Sequence, residues 1–123
     1  MNGVILFGHG ARDARWREPF DKLVHLWRVQ QPQVPVEVAF LELMQPSLSD
    51  SVDRLIKLGA KKIKVVPVFF GQGGHLRKDF PVLLEQCQEQ HPEISLSASP
   101  AVGEDDGVLL AIIEFASRSI ESI

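Results

Sequence analysis

Apolar residues fall into two rhythms that alternate along this chain. Val4-Ile5-Leu6-Phe7 is an unbroken apolar run that ends at Gly8. Apolarity without polar alternation predicts a parallel strand buried on both faces. Trp16, Phe20, Leu23, Val24 and Trp27 then recur at helical spacing, which predicts one apolar face of a helix over 16–30. Pro19 suits its first turn, where a missing N–H does no harm, and Pro32 and Pro35 end it.

The same alternation continues. Residues 36–41 predict a second strand, and Pro46 and Ser47 open a helix striped by Leu48, Val52, Leu55 and Ile56, with Gly59 as its C-terminal cap. Residues 63–70 predict a third strand. Its Pro67 cannot donate to a central ladder, so it belongs at a bulge or near the strand's end. Leu76, Phe80, Leu83, Leu84 and Cys87 stripe a third helix, with Pro81 expected in an early turn. Residues 94–99 are a weaker strand. A last helix follows Gly103, with Leu109, Ile112, Ile113, Ala116 and Ile120 expected to face inward. The order β-α-β-α-β-α-β-α predicts an α/β fold: a four-stranded parallel sheet with helices on both faces, joined by right-handed crossovers.

Composition narrows the class. The 123 residues are one domain's length, with no linker or low-complexity tract, so 1–123 is read as a single lobe. Thirteen Lys and Arg against sixteen Asp and Glu give a net charge of -3, which offers no global footprint for nucleic acid. No apolar run approaches the roughly 20 residues needed to span a bilayer. No secretory leader pattern is visible, and the one cysteine, Cys87, fits a reducing compartment. A cytoplasmic protein with neither a nucleic-acid nor a membrane partner is the expectation.

Ligands of open α/β sheets bind beyond the carboxyl ends of the strands. Gly8-His9-Gly10-Ala11-Arg12 follows the first strand, Glu42 ends the second, and Gly71-Gln72-Gly73-Gly74-His75 follows the third. Two histidines, a carboxylate and five of the nine glycines therefore meet at one sheet edge. Glycine lets a ligand or another backbone approach closely. Two imidazoles and one carboxylate are too few for a closed structural zinc site. They leave positions open for a transiently held divalent ion such as Co²⁺, Fe²⁺ or Ni²⁺. A solvated strand end remains an equal reading for Glu42 alone.

The remaining histidines carry less. His25 lies beside the first helix's apolar stripe and is expected at the surface. His91 stands four residues after Cys87, but Cys87 continues an apolar stripe and His91 suits a helix C-terminus. Gly8-His9-Gly10 lacks the third glycine of a dinucleotide loop, and neither a P-loop nor a G-x-S-x-G elbow occurs.

The strand ending in Gly8-His9-Gly10-Ala11-Arg12, together with Pro67-Val68-Phe69-Phe70 leading through glycines to His75-Leu76-Arg77-Lys78-Asp79-Phe80-Pro81, resembles the class II, ATP-independent tetrapyrrole chelatases. The nearest resemblance is to sirohydrochlorin cobaltochelatases and ferrochelatases of the CbiX/SirB type, over nearly the whole chain. Ala11 stands where a serine is more usual, which removes only a hydroxyl. The resemblance implies a chelatase-like, flavodoxin-like lobe that inserts a divalent metal into sirohydrochlorin for cobalamin or siroheme synthesis. The metal is then substrate, and no tightly bound cofactor is implied. His9 and His75 match the family's metal-binding histidines, and Glu42 its acidic partner. Two pyrrole protons must leave, and His9, His75 or Glu42 are the available bases, an imidazole titrating at about 6.5. Gly8, Gly10, Gly73 and Gly74 would let the macrocycle approach. Arg12, Arg15, Arg77 and Lys78 would pair with its carboxylates.

Larger members of the family place the cleft between two similar lobes, and short forms pair as homodimers. One lobe of this size is therefore expected to share its cleft with a second copy. Two alternatives stay open: a metal-carrying module using the same histidines, and a histidine phosphatase. The phosphatase is disfavoured because Gly8, not arginine, precedes His9.

Overall fold

A computed structural model describes residues 1–71 and 73–123, and at His75 the backbone alone. Four parallel strands stand in the order β2-β1-β3-β4: β1 Asn2–Gly8, β2 Val36–Phe40, β3 Lys62–Pro67 and β4 Ser95–Ala98. The helices α1 (Glu18–Gln30), α2 (Leu48–Lys57), α3 (Gly74–Gln90) and α4 (Asp106–Ile120) follow the strands in turn, with single 3-10 turns at Ala14–Arg17 and Val102–Glu104.

The two faces of the sheet follow from side-chain alternation. Ile5 and Phe7 of β1, Ile63 and Val65 of β3 and Leu96 of β4 face one side. There they meet Leu48, Val52 and Leu55 of α2 and Leu76, Phe80 and Cys87 of α3. Leu6, Val36, Val38 and Phe40 face the other side and meet Phe20 of α1, with Val4, Val24, Trp27, Val66 and Val68 packed around them. Right-handed crossovers require this division. The step from β1 to β2 moves one way along the sheet, and the steps to β3 and β4 move the other.

Local signals explain the ends. Ser47 caps α2 by accepting from the Asp50 N–H (3.2 Å), and the Asp50 carboxylate returns to the Ser47 N–H (3.5 Å), a capping box. Gly59, at φ 100°, reverses the chain after α2. Pro19 sits in the first turn of α1, as its spacing predicts.

Three expectations need correction. The third strand stops at Pro67, short of Phe70, so the absent proline N–H falls at the end of the ladder. Pro81 lies in the body of α3, because that helix begins at Gly74. Its ring supplies no N–H to the helical ladder. The third correction is larger. No residue of α4 is buried: Leu109, Ile112, Ile113 and Ile120, expected inward, are exposed, and the helix packs chiefly against the 3-10 turn at 102–104. Its apolar stripe exists but lies largely exposed, with Ile112 beside Val68, Phe69 and Phe70.

Candidate functional site

The carboxyl edge of β1 and β2 is built by backbone pairing. Past the last paired strand residues, the Leu41 N–H donates to the Gly8 carbonyl (2.9 Å) and the Glu42 N–H to the His9 carbonyl (3.2 Å). The two loops leave the sheet together, and His9 Nε2 comes to lie 3.3 Å from Glu42 Oε1, with both side chains about half exposed. A ligand pair separated by 33 positions in sequence is thus formed by strand register.

Glycine at 8 and 10 has a packing reason. A Cβ on Gly8 would stand 2.5 Å from the Phe20 ring. Gly10 has φ +99°, and a Cβ there would stand 1.8 Å from the Glu42 carbonyl oxygen. Only a residue without a side chain lets the His9 loop lie against the Glu42 loop.

The second half of the site follows β3. Gly73 caps α3 and Gly74 and His75 are its first residues. The His75 side chain lies outside the described residues, as does Gln72. A Cβ on Gly71, Gly73 or Gly74 would meet nothing within 4 Å. Among the described residues, nothing packs directly on these three glycines. Among the described residues no group of three or more His, Cys, Asp or Glu forms a metal cluster, and His9 with Glu42 is a pair of ligand type.

The cations divide. Arg12 and Lys78 are exposed beside the two histidine loops, and among the described residues neither has an ion pair. Arg77 is exposed on the first turns of α3 and has a partner of its own. Arg15 is already engaged. It forms a two-pronged pair with Asp13 (Nη2–Oδ2 2.8 Å, Nε–Oδ1 3.1 Å), which holds the Asp13 carboxyl below its ordinary range and raises the guanidinium. His25 is exposed, as expected. Cys87 is buried and its thiol is pushed up by desolvation, while the His91 ring turns to Glu93 at 3.7 Å, so no Cys87–His91 ligand pair is needed to explain either.

Sequence reasoning missed Arg17. Its guanidinium donates to the Gln45 carbonyl (2.8 Å) and to Asp21 Oδ1 (3.1 Å), and lies 5.7 Å from the centre of the Phe40 ring. It clamps the 41–46 loop that carries Glu42 and includes Leu43 in a left-handed conformation at φ 67°. The Arg17–Asp21 spacing was legible as a helix-surface pair. The contact across to Gln45 was not.

The CbiX family profile matches residues 3–119. The chain belongs to the CbiX family. A sirohydrochlorin cobaltochelatase of Methanococcus aeolicus is 33% identical over 91 residues, which are 72% of this chain and 64% of that protein. The chain spans a third to two thirds of the first curated relatives it matches. Among solved structures, a CbiX protein of Marinobacter aquaeolei VT8 is similar over 100% of both chains, at 32% identity and a TM-score of 0.88. The chelatase SirB of Bacillus subtilis subspecies spizizenii, solved with cobalt, shares the fold over 95% of this chain and 50% of its own, at 24% identity and a TM-score of 0.79. CbiX membership fits the four-stranded parallel sheet.

Proposed function

We propose that this CbiX-family chain is a sirohydrochlorin chelatase that inserts Co²⁺ or Fe²⁺ into the tetrapyrrole, in cobalamin or siroheme biosynthesis. The observation that carries the reading is the His9–Glu42 pair, 3.3 Å apart, at the same sheet edge as the glycine loop that leads into His75. His9 and His75 hold the incoming ion and Glu42 orients His9 or takes a proton. The macrocycle's pyrrole nitrogens displace the protein ligands, the metal takes the place of two N–H protons, and those protons leave through His9, His75 or Glu42. The charge balances: one divalent ion enters and two protons depart.

Substrate binding follows from the surroundings. Gly73 and Gly74 set no side chain against an approaching macrocycle, and Gly10 lets the His9 loop lie against the Glu42 loop. Arg12, Arg77 and Lys78 meet its carboxylates. The metal, whether Co²⁺, Fe²⁺ or Ni²⁺, is a substrate of the reaction, and its identity follows supply as much as affinity, because all three accept imidazole and carboxylate. A single lobe forms one wall of such a cleft, and a second copy supplies the other, as a homodimer in the cytoplasm. No helix among the described residues is long and apolar enough to cross a membrane.

Anaerobic mixing of protein, sirohydrochlorin and Co²⁺ or Fe²⁺ tests the reading. The absorption change of the macrocycle is expected well above the spontaneous rate. Metal binding without that acceleration would make the chain a carrier and overturn the chelatase reading. Hydrolysis of a chromogenic phosphate ester without metal would overturn it in favour of a phosphatase.

A further inference from the structure

Phe69 and Phe70 stand side by side where β3 gives way to the glycine loop, but only one of them is used by the core. The Phe69 ring meets Phe7 edge-on, with centres 6.3 Å apart. Phe70 is 67% exposed. Its backbone is nonetheless held. Gly103 donates its N–H to the Phe69 carbonyl (3.1 Å) and lies so close that a Cβ there would overlap the Phe70 backbone. Just before, the Val68 N–H donates to the Phe7 carbonyl (2.8 Å). An aromatic ring is thus kept in water on a fixed backbone, although its burial would be favourable.

Leu43 makes the matching case after β2. It is 58% exposed and has φ 67°, a left-handed conformation that strains a leucine. The loop around it is tied on both sides. The Glu42 N–H donates to the His9 carbonyl (3.2 Å), and the Arg17 guanidinium donates to the Gln45 carbonyl (2.8 Å). A second large apolar side chain is therefore presented to solvent by a backbone that pays for its conformation.

Strand order sets these two residues about the His9 loop. β1 lies between β2 and β3. Leu43 stands three residues past Phe40, the end of β2, and Phe70 three residues past Pro67, the end of β3. Neighbouring strands are about 4.8 Å apart, so β2 and β3 are separated by about 10 Å, the scale of a tetrapyrrole's width. The surface on the Phe70 side stays apolar: Val68, Phe69, Phe70, Val102 and Val108 border a hollow of about 200 Å³.

We infer that Phe70 and Leu43 position the macrocycle, their side chains lying against its apolar conjugated ring from either side of the His9 loop. The inference rests on the chelatase reading above and names the residues that hold the ring. Such a substrate is apolar across its ring and anionic at its rim. The ring goes to Phe70 and Leu43, and the carboxylates go to Arg12 and Lys78, which are exposed beside the two histidine loops. Carbon side chains also suit the place chemically. They grip the ring without offering the incoming ion a competing ligand.

Binding of metal-free sirohydrochlorin, followed by quenching of tryptophan fluorescence, and steady-state metal insertion test it. Phe70→Ala is expected to raise the Kd and the KM for the macrocycle about tenfold, the scale of one aromatic face stacked on a conjugated ring. Co²⁺ binding without the macrocycle should not change. Phe70→Tyr keeps the ring and should behave like the natural chain. Leu43→Gly removes the side chain and relieves the left-handed backbone, so the macrocycle KM should rise while thermal unfolding stays at or above that of the natural chain. Unchanged macrocycle affinity in Phe70→Ala or in Leu43→Gly, with metal insertion intact in the natural chain, would overturn the inference and leave the chelatase reading standing. Lost affinity that travels with altered sedimentation, or with weaker Co²⁺ binding, would also overturn it, giving the residue to a chain interface or to the histidine loops. A natural chain that binds the macrocycle through Phe70 and Leu43 but inserts no metal would overturn the chelatase reading and leave the two contacts standing. A natural chain that does not bind the macrocycle would overturn both.

Discussion

Phe7 of β1 and Phe80 of α3 stack with ring centres 5.1 Å apart and planes inclined by 19°. Phe7 immediately precedes the Gly8-His9-Gly10 loop, and Phe80 lies on the same helix as His75. One core contact therefore links the two elements that carry the histidines proposed to hold the metal. Truncating Phe80 to Ala should cost about 3–5 kcal/mol, as for other buried aromatics. The metal-insertion rate should also fall under conditions where urea titration shows the variant still folded. An unchanged rate in the folded fraction would show that the stack serves stability alone.

His9→Ala removes both the proposed metal ligand and a candidate proton acceptor. The rate of sirohydrochlorin metallation should fall about 10²–10⁴-fold, the usual range for a lost acid–base group. Glu42→Gln keeps the size and loses the charge, and should cost about 10–100-fold in metal affinity, as outer partners of ligating histidines do. Metal titration followed by stopped-flow absorbance separates the two effects.

Gly10 and Gly71 make a matched pair. Gly10→Ala forces a side chain into φ +99° and against the Glu42 carbonyl, and should destabilise by at least about 1–3 kcal/mol while disordering the His9–Glu42 pair. Gly71→Ala meets nothing within 4 Å and should stay within about 0.5 kcal/mol of the parent. Thermal unfolding of both variants checks the contrast.

Arg17→Ala should loosen the Glu42 loop without touching Glu42. Loss of the hydrogen bond to the Gln45 carbonyl should cost about 1 kcal/mol. The expected kinetic signature is a raised metal KM with a smaller change in kcat. Arg17→Lys should rescue only part of it, because an ammonium cannot reproduce the guanidinium's fork.

Cys87 sets a pH dependence. Burial raises its thiol pKa in the folded state above the unfolded value of about 8.5. The folded state therefore holds its proton where the unfolded chain has begun to release it. Stability from this group is fully present below pH about 8.5 and declines as pH rises toward the raised folded value. Denaturant midpoints between pH 7.5 and 10 should fall for the natural chain and less for Cys87→Ala. A thiol reagent should modify the native chain slowly and the unfolded chain at once.

The alternation of strand and helix, the parallel sheet, the capped start of α2 and the shared edge of His9 and Glu42 were all legible in linear order. Each depends on local preference or on side-chain period, which neighbours in sequence carry. Pro81 was misplaced because a helix start without a side-chain cap, at Gly73, leaves no polar signal to read. Arg17 was missed because its decisive acceptor is a loop carbonyl 28 residues away.

Sequence alone determined which residues could do chemistry here: two histidines on glycine loops, a carboxylate after the second strand, and basic residues around them. Tertiary structure decided which of them meet. The register of β1 against β2 brings His9 to Glu42, Asp13 takes Arg15 out of the set, and Gly10 turns out to serve the neighbouring loop as much as any ligand. It also decided the fate of α4. Periodicity reveals that a helix has an apolar stripe, but not what the stripe touches. That depends on where the chain runs on leaving the sheet, and Gly103 lies so close to Phe70 that only glycine fits there.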